Sequence, residues 1–443
     1  MVAVALVVVA LPAPGRALPA LGRASPVNVV VLPVAEPAVV AFPGYAEIPL
    51  YSDGTVLSAL GLPQAVPLGA PVTDPPGALA RQDRWRAEGS VPGPARYADL
   101  AEAALRDLEA LLLPGGVPLA AATGQWRYVW PRDASFVAAA LARTGHVDDA
   151  FDVLEHLQLL QDGADGGVFE ARYLPDGSGG VPDGRGPQLD GNGWVLWAVA
   201  EWYDAAPPRT RDRRLESLRP LVVRSVAAIR ANVDLATGLP AISPDYWEVA
   251  ESSPTLGTLA PLLAGLRSAS DVLRTLGEPP VADLIEALER GLDEHFVGYP
   301  RHPGAADPDT AVAFLMPPFR PYEAEVATAW RTAALTMARP GGGLAPGAGW
   351  RADGVSWTPT TAVFALTAAA SGDRAAATGW LDWLDAHRSP RGALPEKVLW
   401  DGSPSAVAPL AWTCATVILA LDELDRLDRR PARGDPALWS WLG

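Results

Sequence analysis

From Tyr97 onward, the apolar residues of this 443-residue chain recur at intervals of three and four. Tyr97, Leu100, Ala104, Leu108 and Leu111 form one such series. Leu259, Leu262, Leu266, Ala269, Leu273 and Leu276 form another, and Val407, Leu410, Ala411, Cys414, Val417, Ile418, Leu421 and Leu424 a third. Positions three and four apart share one face of a helix, so the pattern predicts helices throughout this part of the chain. About twelve are predicted, beginning near residues 97, 132, 147, 190, 211, 254, 280, 308, 322, 358, 373 and 405. Residues 25–95 read differently. Short apolar runs at 29–32 and 39–42 are separated by Pro and Gly, which predicts short strands and extended chain lying on the main body.

Alternate helices open alike. Ser253-Pro254, Asp307-Pro308, Thr358-Pro359 and Ser403-Pro404 each pair an N-cap residue with a proline suited to the first helical position. They recur at intervals of 54, 51 and 45 residues, and Pro131 and Asp190 mark earlier starts at comparable spacing. The helices of this set are apolar and rich in Ala, whereas those between them carry more charge, as at 211–214 and 283–290. Two-helix units repeated six times, with one helix of each pair buried all round, predict an all-α fold closed into an (α/α)6 barrel, a six-hairpin toroid. The domain boundaries expected are 25–95 for the extended N-terminal segment, 96–430 for the barrel and 431–443 for a tail.

Composition narrows the partners. The net charge of −16 and the pI near 4.8 disfavour nucleic acid and anionic membranes, both of which require a positive face. A single Cys, Cys414, allows no internal disulfide, and its place in an apolar helical series makes it a buried filler. The five His residues have no ligand-like spacing, so neither a zinc site nor any other metal or cofactor is assigned. The apolar run at 2–11 is too short to span a bilayer and resembles the core of an export signal ending near Ala24, although it lacks a preceding positive charge. An ordinary buried strand is the alternative. The expectation is a secreted protein, with a cytoplasmic one as the alternative and the oligomeric state undetermined.

The chemistry-bearing residues fall in the segments that lead into the apolar helices: WRYVWPRDASF at 126–136, GPQLDGNGW at 186–194, DYWEVAESSP at 245–254, GWRADGVSWTP at 349–359 and LPEKVLWDGSP at 394–404. If the inner helices run parallel, these five segments meet at one end of the barrel. Trp, Arg, Asp and Glu then rim a cavity into which helix N-termini point. Aromatic faces with charged hydrogen-bonding groups suit a polyhydroxylated ligand, an oligosaccharide. Glu248 follows Tyr246 and Trp247, and an apolar wall would favour its neutral, proton-donating form.

Over residues 97–428 the chain resembles glycoside hydrolase family 15, the glucoamylase-like family. Trp130-Pro131-Arg132-Asp133 is similar to the family's Trp-x-Arg-Asp segment. Gln188, Asp190 and Gly193 match a Gln-x-Asp-x-x-Gly segment. Trp247-Glu248 matches the Trp-Glu that carries the general acid, and Pro395-Glu396 the Pro-Glu that carries the general base. Leu410 and Trp412 match a Leu-x-Trp in the last helix.

The resemblance implies an inverting, exo-acting hydrolase of α-glucosidic bonds with Glu248 as general acid and Glu396 as general base. The two carboxyl groups would then stand roughly 6.5–9.5 Å apart, with room for a water between them. Glu396 would be ionised, helped by the N-terminus of the last helix. The resemblance also implies that Arg132 and Asp133 hold the terminal sugar, with Gln188, Asp190 and Arg351 in similar roles. Trp130, Trp247 and Trp412, with Trp126 and Trp357, would be walls, and Tyr128 would either orient the attacking water or pack. The linkage stays open among glucoamylase-, glucodextranase- and trehalase-like activities. The short flanks predict soluble oligosaccharides rather than raw starch. Lys397 stands where relatives frequently carry Gln. A non-catalytic carbohydrate-sensing barrel and a sugar phosphorylase on the same fold are the alternatives; neither has a chemical need for both glutamates.

Overall fold

The computed structural model describes residues 75–122, 126–389 and 392–429, together with a pair of antiparallel strands, β1 (Ala38–Val40) and β2 (Ile48–Leu50). The run at 2–11 and the tail at 431–443 lie outside the described residues. Helix α1 (Pro75–Glu88) precedes the barrel, where extended chain was predicted, and packs on α2. In chain order there follow α2 (Ala98–Leu111), the antiparallel pair β3 (Leu112–Leu113) and β4 (Val117–Pro118), α3 (Pro131–Arg143), α4 (Val147–Asp162), α5 (Asp190–Ala205), α6 (Arg211–Ser217), α7 (Arg219–Ala231), α8 (Leu256–Ser268), α9 (Ser270–Thr275), α10 (Ala282–His295), a 3-10 helix (Thr310–Leu315), α11 (Ala324–Thr336), α12 (Thr358–Ala370), α13 (Arg374–Ala386) and α14 (Ala411–Arg429).

Neighbour packing runs α3 to α5 to α8 to the 3-10 helix to α12 to α14 and back to α3. This is a closed inner ring of six elements. Helices α4, α7, α10, α11 and α13 each pack behind the inner element that precedes them, and α2 closes the outer ring by packing on α14. The all-α (α/α)6 barrel predicted from the repeat is therefore the observed architecture.

Inner elements are covered on both sides, which explains their composition. Every residue from Pro131 to Ala142 in α3 is buried, as is every residue from Thr358 to Ala369 in α12. Small side chains let such helices approach closely. The limit is reached where α5 crosses α8. A Cβ on Gly193 would lie 2.3 Å from the Pro261 carbonyl oxygen, and one on Gly265 would lie 2.1 Å from the Gly193 oxygen. The Gly193 singled out by motif is thus a backbone-to-backbone contact point. Large aromatics fill the centre, where Phe136, Trp194, Trp197, Phe314 and Phe319 pack largely edge to face.

Three of the four Ser/Thr/Asp-Pro starts differ from expectation. Helix α8 is capped by Thr255, whose Oγ1 accepts the Thr258 N–H at 3.1 Å; Ser253 and Pro254 precede it. The segment after Asp307-Pro308 is only a 3-10 helix, capped by Asp309 accepting from Ala311 N–H at 2.9 Å. Pro404 belongs to strand β7 (Pro404–Ser405). That strand pairs with β6 (Lys397–Val398), which in turn pairs with β5 (Ser356–Trp357). Helix α14 starts later, at Ala411, whose N–H donates to Ala120 O at 2.8 Å. The Leu256 N–H also donates to Arg301 O at 2.8 Å and the Thr310 N–H to Pro346 O at 3.0 Å, so in each case a tertiary partner for the backbone accompanies the shifted start. Among the described residues no helix is long and apolar enough to cross a membrane.

At the C-terminal ends of the inner helices, Arg143 of α3 is buried among carboxylates. It donates to Glu201 of α5 at 2.7 and 2.9 Å and to Glu423 of α14 at 2.5 Å, with Asp422 at 3.5 Å.

Candidate active site

At the opposite end, the segments leading into α3, α5, α8, α12 and α14 surround a cavity of about 280 Å³. Trp130, Arg132, Asp133, Trp247, Glu248, Arg351, Glu396 and Trp412 all line it, as do Trp126 and Trp357. Tyr128, Gln188 and Asp190 do not. Tyr128 is covered by the Arg172 guanidinium, 4.5 Å above its ring. Gln188 is 3 % exposed and spends its backbone N–H on Phe169 O at 2.7 Å. Asp190 is 1 % exposed in the first turn of α5. Burial pushes its carboxyl up to about 7; Arg132 pulls it down and Asp245 pushes it further up. Gln188 and Asp190 are thus buried at the start of α5, the helix whose Gly193 packs against α8.

Glu248 is placed by a strained turn. Its φ of 55° is left-handed, uncommon for a residue with a side chain, and such strain persists only where the surroundings impose it. Asp245 imposes it. The Asp245 carbonyl accepts Glu248 N–H at 2.8 Å, and its Oδ1 accepts Trp247 N–H at 2.9 Å. The Asp245 carboxylate, fully buried, also accepts from Thr255 Oγ1 at 2.8 Å and from Arg301 at 2.8 Å. Gly257 leaves room for it, since a Cβ there would lie 2.2 Å from Asp245 Oδ2. Arg301 in turn donates to Glu251 at 2.5 Å and Asp309 at 3.3 Å, and covers the Trp247 ring at 3.8 Å. Tyr246 donates to Asp309. Burial holds the Asp309 carboxyl up at about 6, against the pull of Arg301.

The side chain of Glu248 meets donors rather than the apolar wall expected from its neighbours. Trp130 Nε1 donates to its Oε1 at 2.6 Å, Arg132 stands 3.4 Å from the same oxygen, and Arg185 donates to Oε2. Arg132 is itself fixed by Asp133 at 3.2 Å and by the Trp412 face at 4.7 Å. Burial raises the Asp133 carboxyl, Arg132 opposing.

Glu396, 8 % exposed, stands on the strand segment that leads into β6. Its backbone N–H donates to Val407 O at 2.8 Å, and its carbonyl accepts the Thr358 N–H at 3.0 Å. The helix start beside it is therefore that of α12, since α14 begins only at Ala411. Burial raises its carboxyl above the usual range, opposed by Lys397 and by a hydrogen bond from Trp126.

Two lining residues escaped sequence reasoning. Arg185 belongs to a Gly-rich loop ahead of α5, and its only signal was a cation beside the Gln188 segment. Trp350 stands edge-on between Trp247, at 4.8 Å, and Trp357, at 5.4 Å, giving a continuous indole wall. Arg301, the hub behind Glu248, had no signal, because its partners Glu251 and Asp245 lie 50 and 56 residues away. No grouping of three or more His, Cys, Asp or Glu suited to a metal occurs among the described residues.

No family profile and no curated protein matches the chain. Solved structures do. A glutamate-to-alanine variant of a glycosidase in complex with glucose is 22 % identical with a TM-score of 0.60, over 79 % of this chain and 98 % of its own. A bacterial glucoamylase complexed with acarbose is 16 % identical with a TM-score of 0.61, over 78 % of this chain and 58 % of its own. The glucoamylase from Saccharomycopsis fibuligera is 12 % identical with a TM-score of 0.57, over 81 % and 96 %. At such identities the likeness establishes a shared fold.

Proposed function

We propose that the protein is an inverting, exo-acting glycoside hydrolase that releases glucose from soluble α-glucosidic oligosaccharides. The observation that carries this reading is the presence of Glu248 and Glu396 in one cavity walled by indoles and guanidinium groups. They are brought there from segments 148 residues apart by closure of the ring. The occupants of two neighbours on this fold, glucose and acarbose, agree with such a ligand.

In this mechanism Glu248 donates its proton to the glycosidic oxygen as the bond from that oxygen to the anomeric carbon breaks. Glu396 takes a proton from a water whose oxygen bonds to the opposite face of the same carbon. Glu248 must be protonated to act, so a bound sugar has to draw Arg185 off its Oε2. Arg132 and Asp133 hold hydroxyls of the terminal sugar. The indoles of Trp247, Trp350 and Trp357 cover its C–H faces.

The test is product analysis on maltotriose, isomaltotriose and trehalose. Glucose should be the first product from at least one of them, and its release should be slowed at least about a hundredfold in Glu248→Gln and in Glu396→Gln. Release of internal fragments, or binding of every sugar without cleavage by the wild type, would contradict the reading.

A further inference from the structure

The sequence contains one lysine, Lys397, and the fold places its ammonium beside the proposed base. Nζ lies 3.4 Å from Glu396 Oε2 and 4.3 Å from the centre of the Trp357 ring. The strand register explains this position. Trp357 and Lys397 are directly paired across β5 and β6, so their side chains share a face. The ammonium is held between an indole face and a carboxylate, with the side chain 28 % exposed.

Among the described residues, Glu396 Oε2 accepts no well-aligned hydrogen bond, and Lys397 is its one ion-pair partner. Burial works against the ionised form that a general base needs, so a fixed positive charge at this distance is chemically useful. We propose that Lys397 is a positioning residue for Glu396: it keeps the buried base ionised and orients its carboxylate toward the attacking water. This rests on the hydrolase reading given above.

Other charged groups also bear on Glu396. Asp133, at the start of α3, repels it and is paired with Arg132. Glu248 lines the same cavity, neutralised by Arg185, and Arg351 lines it from the segment ahead of α12. Trp357, Thr360 and Trp412, which line the cavity from β5, α12 and α14, carry no charge.

The kinetic test compares kcat/KM against pH for wild type, Lys397→Gln and Lys397→Arg. An opposite charge within about 4–6 Å lowers a carboxyl by 1–3 pH units, and partial exposure favours the lower end. Lys397→Gln should therefore raise the acidic limb by about one pH unit, and Lys397→Arg should restore it. An unmoved limb with a raised KM would assign Lys397 to substrate contact instead and overturn the proposal.

A second readout does not depend on hydrolysis. Reductive methylation with 13C-formaldehyde keeps the charge and labels this one lysine side chain. Its methyl resonance should titrate at acidic pH in the wild type and lose that step in Glu396→Gln. If no sugar is cleaved but the step is present, the hydrolase reading fails while the Lys397–Glu396 coupling stands. If the step survives in Glu396→Gln, the coupling itself is refuted.

Discussion

The two ends of the inner ring both bury arginines among carboxylates, and they do so to different effect. At the C-terminal end, Arg143 is bound by Glu201 and Glu423 within 3 Å, with Asp422 beside them. At the N-terminal end, Arg132 reaches Asp133 and Glu248 only at 3.2 and 3.4 Å, and its Nε and Nη1 find no hydrogen-bond partner among the described residues. Glu396 Oε2 likewise accepts no well-aligned hydrogen bond. Buried polar groups are normally satisfied, so under-bonded groups that line the cavity mark where a ligand supplies the missing hydrogen bonds. The Arg143 guanidinium is instead engaged by carboxylates of two other helices and holds them together, although Asp422 Oδ2 beside it accepts no well-aligned hydrogen bond. Charge and burial alone would not separate these two arginines; the bonding of their guanidinium groups does.

The sharpest way to break this contrast is to exchange the expected losses. Glu248→Gln and Glu396→Gln should each lower kcat by about 10²–10⁴ while leaving thermal unfolding nearly unchanged, as read by steady-state kinetics and calorimetry. Arg143→Met should do the reverse. It strands two buried carboxylates and should cost about 3–5 kcal/mol in denaturant unfolding, with kcat near wild type well below the melting temperature. Loss of stability at the cavity end, or of activity at the other, would collapse the distinction.

Smaller effects sharpen it. Trp350→Ala opens the indole wall and should raise KM about three- to tenfold, with a minor effect on kcat. Asp190→Asn tests a carboxyl placed behind the cavity. Its folded value of about 7 exceeds the ordinary 3.8, so the folded state binds the proton more tightly between these limits. Its contribution is therefore fully present below about pH 4 and is lost as pH rises through 7. The Asn variant escapes that loss, so its melting temperature should exceed the wild type's by a few degrees at pH 8 and by much less at pH 4.

Much of this architecture was legible because it repeats. Six two-helix units leave a periodic apolar signal, and the inner helices declare themselves by Ala-rich stretches such as 358–369 that are buried all round. The cavity wall was legible where it lies at or just ahead of a helix start, as at Trp130, Arg132 and Glu248, and at Glu396 although that residue leads into β6. What failed was set by contacts distant in sequence. Ser403-Pro404 reads as a helix start, yet β6 recruits Pro404 as a strand. Gln188 and Asp190 match a segment by type, but their burial at the start of α5 takes them out of the cavity. Arg301 organises the turn beneath Glu248 from across the α10 hairpin. The surroundings of Glu248 differ from expectation because its adjacent aromatics are visible in sequence, whereas the Arg185 that reaches it from another loop is not.

The central claim is that Glu248 and Glu396 act as an acid and base on opposite faces of one anomeric carbon. Proton NMR of the first turnover products from a cleaved α-linked oligosaccharide tests it most directly, before mutarotation mixes the anomers. The account predicts that β-glucose appears first. α-Glucose appearing first would mean retention of configuration and would contradict it.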